Sequence, residues 1–222
     1  MEKHMQILMQ RYPSLRCCEE QIRAAVELLI RVYENKGKLL LCGNGGSCAD
    51  CDHIVGELMK GFLLRRPLSC QEKQQLRGNG SDMGKNLAEY LQRGLPAVSL
   101  CAFSALETAY ANDVKPEFVF AQQAFVLGNS WDALLGISTS GNSANVAAAA
   151  QAARSKDMYV LGLTGAGGGR LAALADVCIM VPETETFRVQ ELHLPVYHCI
   201  CAMLEEYFFA GQESLKSQKQ PL

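Results

Sequence analysis

Two loops rich in glycine and serine have the composition of phosphate-binding turns. Residues 43–47 (GNGGS) and 138–143 (STSGNS) each follow a short apolar run and precede a predicted helix. In both, free backbone N–H groups and the positive end of a helix dipole would face an incoming anion. An ordinary helix cap uses the same residue types. Neither loop matches GxxxxGK[ST], so a nucleoside triphosphate is not predicted.

Three of the four histidines lie in two further segments that could carry acid–base or metal chemistry. His53 and Glu57 are four residues apart, which places them on one face of a helix. The segment 190–198 (QELHLPVYH) contributes Gln190, His193 and His198. Together these groups predict an acid–base pair or a metal site of mixed nitrogen and oxygen ligands, with His193 competing with His198 as a ligand. Each histidine taken alone is also typical of a structural residue.

A rival interpretation uses Cys48 and Cys51, whose CxxC spacing suits zinc or dithiol chemistry. No second CxxC completes a four-ligand structural site. Several of the ten cysteines lie within apolar runs of a long chain. This pattern favours small, buried, reduced thiols.

The composition sets the class of protein. The chain has 222 residues, 49% hydrophobic, with 21 basic against 23 acidic side chains and a net charge of −2. This is typical of one globular domain and argues against a generally basic nucleic-acid binder. No apolar run reaches the ~18–20 residues of a membrane helix, and the first residues lack a signal-peptide core. We therefore expect no membrane partner and a cytoplasmic location.

Five short apolar runs alternate with helical segments and position these groups. The runs show no polar alternation, which predicts strands buried on both faces, hence a five-stranded parallel sheet in a three-layer α/β/α sandwich. Ligands bind beyond the carboxyl ends of such strands, where both glycine- and serine-rich loops lie. The predicted strands are 39–42, 97–102, 133–138, 159–164 and 177–181. The predicted helices are 47–62, 104–111, 115–128, 143–155, 168–175 and 186–209.

The segments outside this alternation of strands and helices complete the predicted domain organisation. Residues 2–35 have apolar side chains at helical spacing and predict a long N-terminal helix that buries its stripe against another subunit. We divide the chain into an oligomerisation helix over 1–36, a sandwich domain over 37–210 and a polar tail over 211–222. Residues 67–95 interrupt the domain as an insertion or lid.

Taken together, CGNGGS, the His-x-x-x-Glu pair, LLGISTSGNS and QELHLPVYH resemble the sugar isomerase (SIS) domain family, most closely its phosphoheptose isomerases. The resemblance implies an aldose–ketose isomerisation of sedoheptulose 7-phosphate to a heptose 7-phosphate through an enediol. It implies that Glu57 is the base that moves the proton between C1 and C2, and that His198 is its acid–base partner. The implied phosphate- and sugar-binding residues are Asn44, Gly45, Ser47, Ser138, Thr139, Ser140, Ser143 and Gln190.

The resemblance also implies a zinc ion in some members, a homotetramer with active sites shared between subunits, and no nucleotide cofactor. The implied zinc ligands are His53, Glu57, Gln190 and His198. Phe103 and Phe187 stand where the family has Asp, so the resemblance defines the reaction class better than the sugar. The alternative is a non-catalytic phosphosugar-binding regulator or scaffold of the same fold. Such relatives often lack the last histidine, so His198 favours the isomerase.

Overall fold

A computed structural model describes residues 1–78 and 80–212 and contains one parallel sheet. The strands are β1 (Leu39–Gly43), β2 (Ala97–Ser99), β3 (Ala133–Ser138), β4 (Tyr159–Thr164) and β5 (Val177–Met180). They lie in the order β2-β1-β3-β4-β5, and every neighbouring pair is parallel. The predicted five-stranded parallel sheet is therefore confirmed.

Helices cover both faces of the sheet, as the unbroken apolar strands require. The helices are α1 (Glu2–Arg11), α2 (Glu19–Glu34), α3 (Gly46–Met59), α4 (Cys70–Arg77), α5 (Asp82–Tyr90), α6 (Ser104–Asp113), α7 (Val119–Leu127), α8 (Ala144–Arg154), α9 (Gly169–Leu174) and α10 (Thr186–Phe209). Leu39 and Leu41 pack into a core formed with α1, α2, α3 and α10, whereas Leu40 and Cys42 pack into a second core formed with α7, α8 and α9. The strand β1 is thus hydrophobic on both sides, and the predicted three-layer architecture is confirmed.

The strand order creates a crevice between β1 and β3. The chain leaves β1 for β2 on one side and then crosses back to β3 on the other. Connections that diverge from neighbouring strands leave a ligand-binding crevice at their carboxyl ends. The loop after β1 is GNGGS and the loop after β3 is STSGNS, so the topology alone brings the two predicted phosphate loops side by side.

The single helix predicted over residues 2–35 is wrong. The chain forms α1, then a 3-10 turn over Pro13–Cys18, then α2. Pro13 disfavours the helical conformation of the residue before it, and Tyr12 accordingly has φ −131° and ψ 73°. The N-terminal segment is therefore two helices, of which α2 carries the wider apolar face.

The insertion at 67–95 forms a helical hairpin that leaves and rejoins the sandwich at one point. It contains the predicted short helix as α5, together with α4, which sequence reasoning missed despite the capping box of Ser69 and Glu72. An antiparallel bridge between Pro67 and Gln92 closes its base. The predicted strand over 97–102 becomes a 3-10 turn after Ser99.

Two further predictions concern the ends of the chain and the membrane. The predicted tail over 211–222 lies, from residue 213 onward, outside the described residues. Within residues 1–78 and 80–212, no helix has the length and apolar character needed to cross a bilayer.

Candidate active site

The two predicted phosphate loops are joined by a reciprocal pair of amide hydrogen bonds. The Nδ2 atom of Asn44 donates to Oδ1 of Asn145 at 3.0 Å, and Nδ2 of Asn145 donates to Oδ1 of Asn44 at 2.8 Å. Gly45 caps α3 and Ser47 is buried in its first turn. The loops therefore form one continuous surface across the β1–β3 crevice. Asn145 was missed by sequence reasoning, although it lies only two residues after the serine-rich loop, in the first turn of α8.

The STSGNS loop leads into the N-terminus of α8, and its hydroxyl groups make hydrogen bonds within the loop. Ser138 and Ser143 share a hydrogen bond between their hydroxyl oxygens, 3.0 Å apart. The hydroxyl of Ser140 accepts from the backbone N–H of Asn142 at 3.1 Å, and Thr139 is half-buried between them. The loop places its hydroxyl and backbone N–H groups at a positive helix end, which suits a phosphate.

Gly141 makes this turn possible. Its φ is 67°, and a Cβ atom there would collide with the backbone carbonyl of Gly168 in the loop after β4. The same neighbouring segment supplies Arg170, whose Nη2 donates to the carbonyl of Asn142 at 2.7 Å. Arg170 thus brings a positive charge to the loop, a contribution that the sequence pattern did not reveal.

The predicted catalytic residues meet where α3 packs against α10. Nε2 of His53 lies 3.3 Å from Oε1 of Glu57, and it lies 3.4 Å from Nε2 of His198. The Glu57 side chain is only 13% exposed. Its Oε2 atom is buried without a hydrogen-bond partner among the described residues. A mostly buried carboxylate with a free oxygen is suited to accept a proton from a substrate.

The surroundings of His198 favour its neutral form. Burial lowers its pKa, the neighbouring His53 lowers it further, and Glu57 partly opposes both effects. A neutral imidazole has one donor and one acceptor nitrogen, so it can both give and take a proton. His198 also stands beside the ring of Phe62, at 5.6 Å between ring centroids.

Tyr197 and Asp50 orient the ring of His53, and neither was identified from the sequence. The Tyr197 hydroxyl donates to Oδ1 of Asp50 at 3.1 Å and lies 3.0 Å from Nδ1 of His53. Because the phenol has one proton and gives it to Asp50, its oxygen accepts from Nδ1–H of His53. The Nε2 atom of His53 therefore faces Glu57 and His198.

The two remaining candidate ligands, Gln190 and His193, lie in different environments. Gln190 lies over the first turn of α3, against Gly46, and no hydrogen bond joins it to His53, Glu57 or His198. His193 is fully buried, and burial lowers its pKa to about 4. The prediction that His193 competes as a ligand is wrong, because its position on α10 faces the core.

The cysteines do not form the metal centre of the rival interpretation. All ten are free thiols, and burial raises the pKa of Cys48 to about 12. Across the described parts of the chain, no group of three His, Cys, Asp or Glu side chains has the arrangement of a metal centre. Cys51 is fully buried in the core below α3.

The two aromatic residues that depart from the family pattern are both exposed. Phe103 precedes α6 just beyond the carboxyl end of β2, and Phe187 lies in the first turn of α10, three residues before Gln190. Both positions are at the carboxyl side of the sheet, where the ligand crevice opens.

Comparisons with known proteins agree with this geometry. The SIS domain model matches residues 15–94 and 81–165. A phosphoheptose isomerase of Helicobacter pylori is 38% identical over 195 residues, 88% of each chain. The structure of a phosphoheptose isomerase from Neisseria gonorrhoeae superposes with a TM-score of 0.71 at 33% identity, covering 92% of this chain and 96% of that one. One from Francisella tularensis gives 0.72 at 28% identity, with the same coverage. The chain belongs to the phosphoheptose isomerase family of SIS-domain proteins.

Proposed function

We propose that this chain is a phosphosugar aldose–ketose isomerase that interconverts sedoheptulose 7-phosphate and a heptose 7-phosphate. The observation that carries this proposal is the meeting of Glu57 and His198 beside His53. Its relatives of about 38% identity are named phosphoheptose isomerases, and such enzymes catalyse aldose–ketose isomerisation. The two joined loops supply the anchor for the phosphate of the sugar.

The residues support a proton transfer through an enediol. In the direction from ketose to aldose, the Glu57 carboxylate takes a proton from C1, and His198 protonates the carbonyl oxygen on C2. Glu57 then returns a proton to C2, while His198 removes the hydroxyl proton from O1 as the new carbonyl forms. Each group ends in its starting state. General acid–base catalysis of this kind contributes ~10²–10⁴-fold to the rate.

Phosphate binding is testable without turnover. Inorganic phosphate and sugar phosphates should raise the melting temperature of the protein, whereas the uncharged sugar should not, because only ligands that bind the folded state stabilise it. Ser140→Asp should abolish this thermal shift, since a carboxylate in the loop repels the anion. Differential scanning fluorimetry measures both effects.

Ser155→Asp is the matched control for this experiment. It adds the same charge at the other end of α8, where Ser155 is exposed, and should retain the full phosphate shift. If Ser140→Asp still shows the wild-type thermal shift with phosphate, the phosphate site does not lie in the STSGNS loop.

We further propose that zinc binds at His53, Glu57, His198 and Gln190. The donor types fit zinc, and a tetrahedral site with bonds of ~2.0–2.1 Å has ligand-to-ligand edges of about 3.3–3.4 Å. The distances from His53 Nε2, 3.3 Å to Glu57 and 3.4 Å to His198, match two such edges, although these three side chains do not together have the arrangement of a metal centre in this structure. When bound, zinc would polarise the sugar carbonyl as a Lewis acid.

Chelation tests the metal proposal. Protein loaded with zinc should lose melting temperature when a chelator is added, and His53→Ala should abolish this sensitivity together with the zinc content found by elemental analysis. Free zinc at 100 times the Kd of the site would add about 2.7 kcal/mol to the free energy of unfolding. His4→Ala is the control, because His4 lies on α1 and pairs with Glu206. Fully active protein that contains no metal would contradict the zinc proposal. Glu57 and His198 would then act as an acid–base pair without a metal.

The homotetramer stays a prediction from the resemblance, and the cytoplasmic location stays a prediction from the sequence pattern. Size-exclusion chromatography with light scattering measures the first. A monomer under conditions of full activity would contradict both the assembly and the sharing of active sites between subunits.

A further inference from the structure

A buried ion pair lies beneath the active site, between the segment after α3 and the helix α10. Arg66 and Glu205 are each 1% exposed, and Nε of Arg66 donates to Oε1 of Glu205 at 2.7 Å. The Glu205 carboxylate also accepts the backbone N–H groups of Phe62, Leu63 and Leu64 at 2.8, 2.7 and 3.0 Å. Both of its oxygens are therefore fully hydrogen-bonded.

The other two nitrogens of the Arg66 guanidinium hold the end of α3. Nη1 donates to the carbonyl of Leu58 at 2.6 Å, and Nη2 donates to the carbonyl of Glu57 at 2.9 Å. Because α3 ends at Met59, these carbonyls belong to its last turn and have no partner within the helix. Arg66 thus binds the backbone of the very residue that acts as the base.

The pair connects the two halves of the catalytic machinery. Glu205 follows His198 by seven residues on α10, about two helical turns. The chain of contacts therefore runs from the backbone of Glu57 through Arg66 to Glu205 and along α10 to His198. We infer that Arg66 and Glu205 are positioning residues that set the separation of the catalytic base and acid. This inference rests on the proposed isomerase function.

Stability alone does not account for an ion pair between Arg66 and Glu205. Replacing a buried ion pair by apolar side chains of similar volume is often neutral or stabilising. An apolar pair, however, could not hold the carbonyls of Glu57 and Leu58. Only a planar, three-directional donor such as guanidinium reaches both carbonyls and the carboxylate at once.

The test separates positioning from folding through Arg66→Lys. Lysine keeps the positive charge beside Glu205 but lacks the planar fork that reaches both carbonyls. We expect kcat for sedoheptulose 7-phosphate to fall ~10–100-fold, because a displacement of about 1 Å costs up to ~10² in rate. KM should change less than ~3-fold, and the phosphate-induced thermal shift should persist. Rates are measured well below the melting temperature of each variant.

Arg65→Lys is the control, because Arg65 is the exposed neighbour in the chain, and it should have wild-type kcat. If Arg66→Lys does not fold, Glu205→Gln takes its place and should show the same loss of kcat at constant KM. Wild-type kcat in a folded Arg66→Lys protein, even with a lower melting temperature, would overturn the inference, as would loss of the phosphate shift. Absence of turnover in the wild type would defeat the proposed function and this inference together.

Discussion

Glu57→Gln should lower turnover of the phosphosugar by ~10²–10⁴-fold, the usual contribution of a general base. The amide keeps the size and shape of the side chain but cannot accept a proton. Glu57 lies 3.3 Å from His53 and is mostly buried, so water has little access to replace it as the base. Phosphosugar binding should be nearly unchanged, because the phosphate loop is formed by other elements.

Two measurements check this result. Steady-state kinetics gives kcat, and deuterium incorporation from solvent into the sugar phosphate reports proton abstraction directly. Glu20→Gln, which neutralises an exposed carboxylate on α2, should leave both unchanged. Near-normal turnover and deuterium incorporation in Glu57→Gln would rule Glu57 out as the base.

Gly141→Ala should abolish the phosphate-induced thermal shift and lower the free energy of unfolding by ~2 kcal/mol or more. With φ at 67°, the residue is in the left-handed region, where a side chain costs roughly 1–2 kcal/mol. The added Cβ also collides with the carbonyl of Gly168. The STSGNS loop must therefore shift away from the loop after β4, which displaces its hydroxyl groups.

Gly167→Ala provides the matched control in that neighbouring loop. A Cβ atom at Gly167 meets no atom within 4 Å, so stability and phosphate response should both stay close to wild type. Chemical denaturation measures the free energy of unfolding, and fluorimetry measures the thermal shift. A Gly141→Ala protein with an intact phosphate shift would show that the loop does not depend on this turn.

Much of the fold could be predicted from the sequence because its signals are local. The run at 39–42 is apolar at every position, so the strand had to be buried on both faces, and β1 extends it by only one residue. His53 and Glu57 share a face because the helix period places them there. The loops after β1 and β3 were recognisable because small residues at a helix start suit an anion. The break at Pro13 is also local and was overlooked.

The contacts that complete the site were decided by the tertiary structure. The approach of His198 to His53, the amide pair of Asn44 and Asn145, and the bond from Tyr197 to Asp50 each join residues more than 100 positions apart. Sequence spacing cannot specify such pairs, because the packing of α3 and α8 on the sheet, and of α10 on α3, sets which side chains meet. The same packing turned His193 into the core. The sequence by itself determined the elements and the kind of chemistry, whereas only the packed structure decided which side chains share a site.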